Sequence, residues 1–222
     1  MYGKTGMGKS RWTKRYLKGK RRVLIVDPQL EHEGEAFDDM EQMLDRAESY
    51  PTFRAKTEFV QDVPMVARIA MVVNDKRRFE KGHPELVLVI EEAQRSLPSG
   101  SQNLPDSVED VIYRGRHNRV TLVTVSQRPS TVHIAARSQW TRLVIFRQSE
   151  SADLKWLSDQ TGEDEEDFKN LAPGEFFEFT NLGGIKATLP DQREVTPIQP
   201  TSSVARTSAV KQESGHDTED TQ

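Results

Sequence analysis

The first ten residues contain a spacing that is typical of phosphate binding. The segment GKTGMGKS covers residues 3–10 and fits the pattern GxxxxGK[ST] in full. Glycines let a backbone curl so that its N–H groups point at phosphate oxygens, and a following helix presents its positive N-terminal end to the same anion. We therefore expect the whole segment to cradle the phosphates of ATP, through Gly3, Lys4, Thr5, Gly6, Met7, Gly8, Lys9 and Ser10.

Two side chains of this segment have chemistry of their own. Lys9 would bridge the β- and γ-phosphates, and the Ser10 hydroxyl would ligate Mg²⁺. The alternative is a glycine-rich turn with an exposed lysine. That alternative does not explain the acidic residues and the glutamine described below, which would complete an ATP site.

The phosphate loop starts unusually close to the first residue. Such a loop normally follows a buried strand, yet only Met1 and Tyr2 precede Gly3. We expect either a truncated or mis-assigned start, or a chain that lacks the central strand. In the second case, one of the two strands beside the missing one should have no partner.

A pair of acidic residues follows the most apolar run in the chain. The run LVLVI covers residues 86–90 and ends at Glu91 and Glu92, which predicts a Walker-B-like element. Glu91 would hold the Mg²⁺ shell, where aspartate is usual and one methylene shorter. Glu92 would polarise the water that attacks the phosphate. The alternative is a buried strand that ends in an ordinary acidic helix start.

An amide and a basic cluster flank the next predicted strand. Gln127 follows it, and in a parallel sheet the amide would lie near the γ-phosphate, where it could sense that group without competing for metal. It could also be a plain loop residue. Arg114 and Arg116 belong to the cluster RGRHNR before the strand. They could act as arginine fingers in a neighbouring subunit, contact DNA phosphates, or lie in a solvated turn.

These residues need a framework of strands and helices to bring them together. Apolar strands alternate with helical stretches, which predicts an α/β fold with a mainly parallel sheet flanked by helices. In such sheets, ligands bind at the carboxyl ends of the strands. We predict strands at residues 23–26, 52–55, 86–90, 120–125 and 143–146, helices at 11–18, 31–48, 63–73, 106–116 and 152–160, and a C-terminal β-hairpin from 176–179 and 185–189.

Composition limits the remaining possibilities. The 222 residues suit one domain with a tail, and we place an ATPase domain at 1–192 and a disordered polar tail at 193–222. The absence of cysteine excludes disulfides, thiolate metal sites and cysteine catalysis. We expect no membrane segment and no signal peptide, hence a cytoplasmic protein. The net charge of −4 hides a basic segment at 1–22 and an acidic one at 27–48.

Taken together, the motifs resemble those of the HerA/FtsK superfamily of DNA-pumping P-loop ATPases. The resemblance runs in order through GKTGMGKS, VLIVDPQ, LVLVIEEAQ, YRGRHNRVTLVTVSQRPS, RLVIFRQSES and LAPGEFF, and covers most of residues 3–180. The small size, without added domains, is most similar to the genome-packaging ATPases of tailless, internal-membrane phages.

The resemblance implies a RecA-like fold and a ring, usually a hexamer, with ATP sites between subunits. Lys9, Ser10, Glu91 and Glu92 would then act in cis, with Gln127 as the phosphate sensor. Either arginine, Arg114 or Arg116, would act in trans. Duplex DNA would pass through the channel, held by its backbone. A capsid or portal protein could dock the motor, which would lie in the host cytoplasm or with the virion.

The leading hypothesis is therefore an ATP-driven translocase of double-stranded DNA that packages a viral genome. Three alternatives remain open from the sequence. The chain could be a non-hydrolysing or degenerate nucleotide-binding adaptor, or a small-molecule kinase. A filament-extrusion or pilus-type motor resembles it less, since such motors commonly carry a membrane anchor.

Overall fold

A computed structural model describes residues 1–79, 82–101 and 103–190 of the chain. Its strands are β1 (Arg22–Val26), β2 (Glu35–Ala36), β3 (Phe53–Thr57), β4 (Leu86–Ile90), β5 (Val120–Thr124), β6 (Arg142–Ile145), β7 (Glu175–Thr180) and β8 (Gly183–Thr188). Its α-helices are α1 (Lys9–Leu17), α2 (Met40–Ser49), α3 (Val63–Val73), α4 (Ala93–Ser96), α5 (Asp106–Arg114), α6 (Ile134–Ser138), α7 (Ser151–Thr161) and α8 (Glu165–Lys169).

The strands form two sheets of different character. Five parallel strands are arranged in the order β2-β3-β1-β4-β5, and three antiparallel strands in the order β6-β7-β8. The predicted fold class is thereby confirmed: a parallel sheet flanked by helices, with a β-hairpin near the C-terminal end of the described residues. Because β1, β4 and β5 are parallel neighbours, their carboxyl ends meet at one edge of the sheet.

The central strands are apolar because helices cover both of their faces. Every residue of β1 and β4 is buried. Leu24 and Leu88 point to the face covered by α3 and α5, while Val23 and Val87 point to the face covered by α1. Strands buried on both faces read as continuous hydrophobic runs, which is why the sequence identified them.

The segment after β1 differs from its prediction. Residues 31–48 were expected to be helical, but the helix begins only at Met40. The Asp27 carboxylate accepts hydrogen bonds from the backbone of Glu31 and His32 and turns the chain. Further along, Asp39 caps α2 by accepting from the backbone N–H of Glu41 at 2.8 Å. Side chains that bond to nearby backbone favour turns and helix starts over a continuous helix.

The first residues of the chain connect the two sheets. Tyr2 forms parallel bridges to both Ser126 and Ile145. Its N–H donates to Val144 O at 2.9 Å, and its carbonyl accepts from Phe146 N at 2.8 Å. A cavity of about 670 Å³, lined in part by Met1 and Tyr2, lies between β5 and β6. In the described residues, each of these two strands pairs with one named strand. The truncated start stays a prediction.

The predictions for a membrane segment and for the C-terminal tail concern the extent of the described residues. Among these residues, no helix is both long and apolar enough to span a bilayer. The proposed polar tail at 193–222 lies outside them, as do residues 191 and 192 at the end of the proposed domain.

Candidate nucleotide site

The phosphate loop has the backbone that its glycines predict. Gly8 is the N-cap residue of α1 and has a φ of 113°, a left-handed conformation that favours glycine. Gly3 is required for a different reason, because a Cβ there would lie 2.5 Å from the Cβ of Phe146. The loop therefore packs tightly against Phe146, the residue after β6, and leads directly into the start of α1. A helix start of this kind binds anions.

Lys9 lies inside the curl of the loop. Its Nζ donates to the carbonyls of Gly3 at 2.7 Å and Lys4 at 3.1 Å. Burial lowers the pKa of Lys9, and the nearby carboxylates, chiefly Glu91, oppose that shift. The ammonium thus has backbone partners that a phosphate could replace.

The two acidic residues after β4 line the same cleft as the phosphate loop. Glu91 is buried, with 8 % exposure, and its Oε1 lies 2.7 Å from His32 Nε2. Glu92 adopts a left-handed conformation with φ 47°. Gln29 Nε2 donates to Glu92 Oε1 at 3.0 Å, and Arg95 Nη1 donates to Oε2 at 3.3 Å. The end of β4 therefore presents two carboxylates with different partners.

Oxygen donors at this edge suit a magnesium ion. Mg²⁺ prefers a few carboxylate and hydroxyl oxygens together with phosphates and water. Ser10 and Glu91 both line the same cleft, and the buried Asp27 lies beside them. Among the described residues, the Ser10 hydroxyl makes no hydrogen bond to protein. Ser10 and Glu91 therefore fit the metal role that the sequence assigns to them.

Gln127, the predicted phosphate sensor, follows β5 and lines the same cleft. The Gln127 side chain is exposed, while its carbonyl accepts from Gln148 Nε2 at 3.1 Å. Arg128 Nε donates to Asp153 Oδ2 at 2.7 Å, and Ser130 N donates to the other oxygen of Asp153 at 2.9 Å. The loop backbone is thus fastened to α7, and the Gln127 amide is left pointing to solvent.

These parts surround one cleft of about 720 Å³. Nine of the predicted site residues line it, namely Thr5, Gly6, Met7, Gly8, Lys9, Ser10, Glu91, Glu92 and Gln127. Gly3 and Lys4 do not line it, but their carbonyls hold Lys9.

The two arginines lie away from this cleft. Arg114 ends α5, and its guanidinium pairs with Asp110 at 3.0 Å with 73 % of the side chain exposed. Arg116 lines the cavity between β5 and β6. Both precede β5, whereas Gln127 follows it, and a five-residue strand spans roughly 16 Å. Neither arginine therefore belongs to the cleft of its own chain.

The cleft also contains residues that the sequence did not single out. Asp27, Gln29, Ser126 and Gln94 line it, as does the turn at Pro173 and Gly174. The sequence contains only weak indications that these residues belong to the site. Asp27 and Gln29 follow an apolar strand as Glu91 does, and the Pro173–Gly174 turn belongs to the motif LAPGEFF. The turn contacts the loop directly, since Gly174 N donates to Met7 O at 3.0 Å.

Comparison with known proteins gives structural relatives only. No family model and no curated protein sequence matches the chain. The genome packaging NTPase B204 from Sulfolobus turreted icosahedral virus 2, solved in complex with ATP-gammaS, superposes with a TM-score of 0.69 at 16 % identity. The match covers 86 % of this chain and 95 % of that one.

Two other solved structures are similar over a comparable part of the chain. VirB4 of Thermoanaerobacter pseudethanolicus gives a TM-score of 0.59 at 14 % identity, covering 86 % of this chain and 89 % of its own. EssC (ATPases 2 and 3) from Geobacillus thermodenitrificans gives 0.53 at 11 % identity, covering 83 % of this chain and 38 % of its own.

The chain has the fold of these P-loop ATPases. The fold that the resemblance to the HerA/FtsK superfamily implies is confirmed by these structural neighbours.

Proposed function

We propose that the chain is an ATP-driven translocase of double-stranded DNA, of the genome-packaging kind. The observation that carries this proposal is the cleft. A phosphate loop, a pair of acidic residues and an exposed amide converge there, within a fold shared with a viral packaging NTPase. That neighbour was solved with ATP analogues, which supports ATP as the nucleotide here.

Each residue has one role in the proposed hydrolysis. The loop N–H groups and Lys9 bind and neutralise the phosphates. Glu92 accepts a proton from the attacking water, and Gln127 contacts the γ-phosphate. Ser10 and Glu91 would hold Mg²⁺, which neutralises charge on phosphate oxygens when bound.

The arginine role is proposed between subunits. Arg114 and Arg116 lie at the opposite end of β5 from the cleft, so they suit a site on a neighbouring copy better than their own. We therefore propose a ring, a hexamer by analogy with the superfamily, in which one of them stabilises transition-state charge in trans. The ring would hold DNA in its channel through contacts to the DNA phosphates. It would act in the host cytoplasm or at the virion, bound to a capsid or portal protein.

Phosphate release with and without duplex DNA tests this proposal. We expect DNA to stimulate turnover, and the stimulation to weaken as salt rises because phosphate contacts are salt-sensitive. Lys9→Ala and Glu92→Gln should each lose roughly a hundred-fold or more of the turnover. Exposed residues of the same type supply matched controls, and Lys18→Ala and Glu58→Gln should behave as the unchanged protein.

Other outcomes of the same assay favour the alternatives. Turnover that ignores DNA but requires a nucleoside or another small acceptor would indicate a kinase. Tight ATP binding without turnover would indicate an adaptor. For the arginine, mixing Arg116→Ala subunits with Lys9→Ala subunits should restore activity if Arg116 acts in trans. If neither Arg114→Ala nor Arg116→Ala changes turnover, the finger assignment is wrong.

A further inference from the structure

Two residues with strained backbone lie at the hydrogen bond between Gln29 and Glu92: Leu30, which follows Gln29, and Glu92 itself. Within the described residues, only Leu30, Glu92 and Arg119 adopt a positive φ without being glycine. Leu30 has φ 54° and Glu92 has φ 47°. Conformations of this kind cost free energy and cluster at functional sites. The hydrogen bond between Gln29 and Glu92 joins the two strained segments.

The turn that carries Gln29 is held closed by its own backbone. Leu30 N donates to Asp27 O at 3.0 Å, which closes the turn directly after β1. Asp27 is fully buried, and its two carboxylate oxygens accept from Glu31 N at 3.2 Å and His32 N at 2.7 Å. The position of Gln29 is therefore set by a rigid segment, although its side chain is exposed.

Strand register brings this turn to the end of β4. β1 and β4 are parallel neighbours, and Val26 pairs with Ile90. The residues that follow these two partners therefore leave the sheet side by side. Gln29 Nε2 consequently reaches Glu92 Oε1 at 3.0 Å, although 63 residues separate the two in sequence.

The Glu92 carboxylate has one other protein partner in the part of the chain that the structure describes. Arg95 donates to Oε2 at 3.3 Å from the same short helix, three residues on. That contact is local and moves with Glu92. Among the described residues, Gln29 supplies the only hydrogen bond from another element to this carboxylate, so it restrains the Glu92 side chain from outside helix α4.

We propose that Gln29 is a positioning residue for Glu92. This inference rests on the proposed function, in which Glu92 accepts the proton of the attacking water. A neutral amide donor suits the task, because it orients the carboxylate without adding a charge beside the phosphates. A carboxylate at the same position would instead repel Glu92 at hydrogen-bond distance.

A contact without a positioning role makes a different prediction. Exposed polar contacts contribute little to stability, so a surface hydrogen bond with no function could be removed without effect. If Gln29 served only to fill space, Gln29→Glu would be tolerated better than Gln29→Ala, since it keeps the size and shape. The positioning role requires the reverse order.

The test is steady-state ATP turnover by the full chain in the presence of duplex DNA. We expect Gln29→Ala to lower kcat roughly ten-fold, the lower end for a hydrogen bond to a charged group, with KM for ATP unchanged. Gln29→Glu should lower kcat further. In the Glu92→Gln background, Gln29→Ala should have no additional effect. Gln61 is exposed on another segment, so Gln61→Ala and Gln61→Glu are the matched controls.

Thermal unfolding provides a second measurement that does not depend on turnover. Gln29→Glu should lower Tm below that of Gln29→Ala, and Glu92→Gln should reverse that difference because it removes the like charge. Equal kcat for Gln29→Ala and the unchanged protein would overturn the inference, as would a higher kcat for Gln29→Glu than for Gln29→Ala. An unchanged protein that does not turn over ATP at all would instead contradict the proposed function itself.

Discussion

His32 lies against Glu91, the residue proposed to hold the metal. Both side chains are buried, and His32 Nε2 is 2.7 Å from Glu91 Oε1. The histidine backbone is fixed in turn, because its N–H donates to the buried Asp27. Changing a group that orients a metal ligand typically lowers affinity for the ion roughly 10- to 100-fold. His32 should therefore set the direction of the Glu91 carboxylate.

We predict that His32→Leu raises the Mg²⁺ concentration needed for half-maximal turnover roughly ten-fold or more. His32→Gln keeps a side-chain donor and should recover part of that loss. The measurement is phosphate release as a function of Mg²⁺ at saturating ATP. If His32→Leu lowered turnover without changing the Mg²⁺ requirement, His32 would be a core residue with no part in metal binding.

At this scale the sequence predicted some contacts and missed others. The phosphate loop and the Glu91–Glu92 pair are local patterns, so a short window contains all the information. His32 and Gln29 find their partners 59 and 63 residues away. Only the register of β1 and β4 brings them together, and no spacing in the sequence encodes that register.

The loop after β5 and helix α7 form one connected element. Arg128 and Ser130 both bond to Asp153, which is fully buried, whereas 42 % of the Arg128 side chain is exposed. The two partners are therefore unequal. Losing Arg128 leaves a buried carboxylate with a single backbone donor, while losing Asp153 leaves an arginine that water can reach.

We predict that Arg128→Ala destabilises the fold more than Asp153→Ala, by about 2 kcal/mol, the usual cost of a buried polar group left short of partners. Urea unfolding of the two variants measures the difference. Equal midpoints, or a larger loss for Asp153→Ala, would show that the burial of Asp153 does not dominate. Lys155→Ala, a change on the same helix, controls for helix propensity.

Strands and helices were predicted correctly from the sequence where the pattern of apolar residues was strong. β1 and β4 are continuous apolar runs, and α3 is buried along one side, so these were identified correctly. The helix expected at 31–48 was wrong over its first part, because an acidic surface stretch carries no core-facing pattern. In this segment the Asp27 carboxylate stabilises a turn by accepting from the backbone of His32, and the Asp39 carboxylate caps the start of α2.

The two sheets of the molecule meet at Tyr2, directly after the buried amino terminus. The Met1 amino group donates to Thr124 O at 2.7 Å inside the protein. Burial lowers the pKa of this amino group from 8.0 to about 5, although Glu91 opposes the shift. A cavity lined in part by Met1 lies between β5 and β6, which are end strands of their sheets in the described part of the chain.

This arrangement predicts that stability rises with pH. Between pH 5 and 8 the unfolded chain binds a proton that the folded chain does not, so the free energy of unfolding increases across that window. Three pKa units correspond to about 4 kcal/mol at most. Chemical unfolding at pH 5.5 and 7.5 should show the increase.

Extending the chain before Met1 gives the matched controls. A five-residue glycine-serine extension replaces the ammonium with an amide and should remove this part of the pH dependence. A five-residue extension of β-branched residues should do the same and also raise Tm, because it can pair with β5 and β6. An unchanged pH profile in both extended proteins would contradict the assignment to Met1.

Movement of DNA is the most direct test of the whole account. The measurement is displacement of a third strand from a linear duplex when ATP is added, with Glu58→Gln as the matched control for Glu92→Gln. We predict ATP-dependent displacement by the unchanged protein and by Glu58→Gln, and none by Glu92→Gln. ATP turnover without any displacement of the third strand would contradict the claim that this cleft drives a DNA motor.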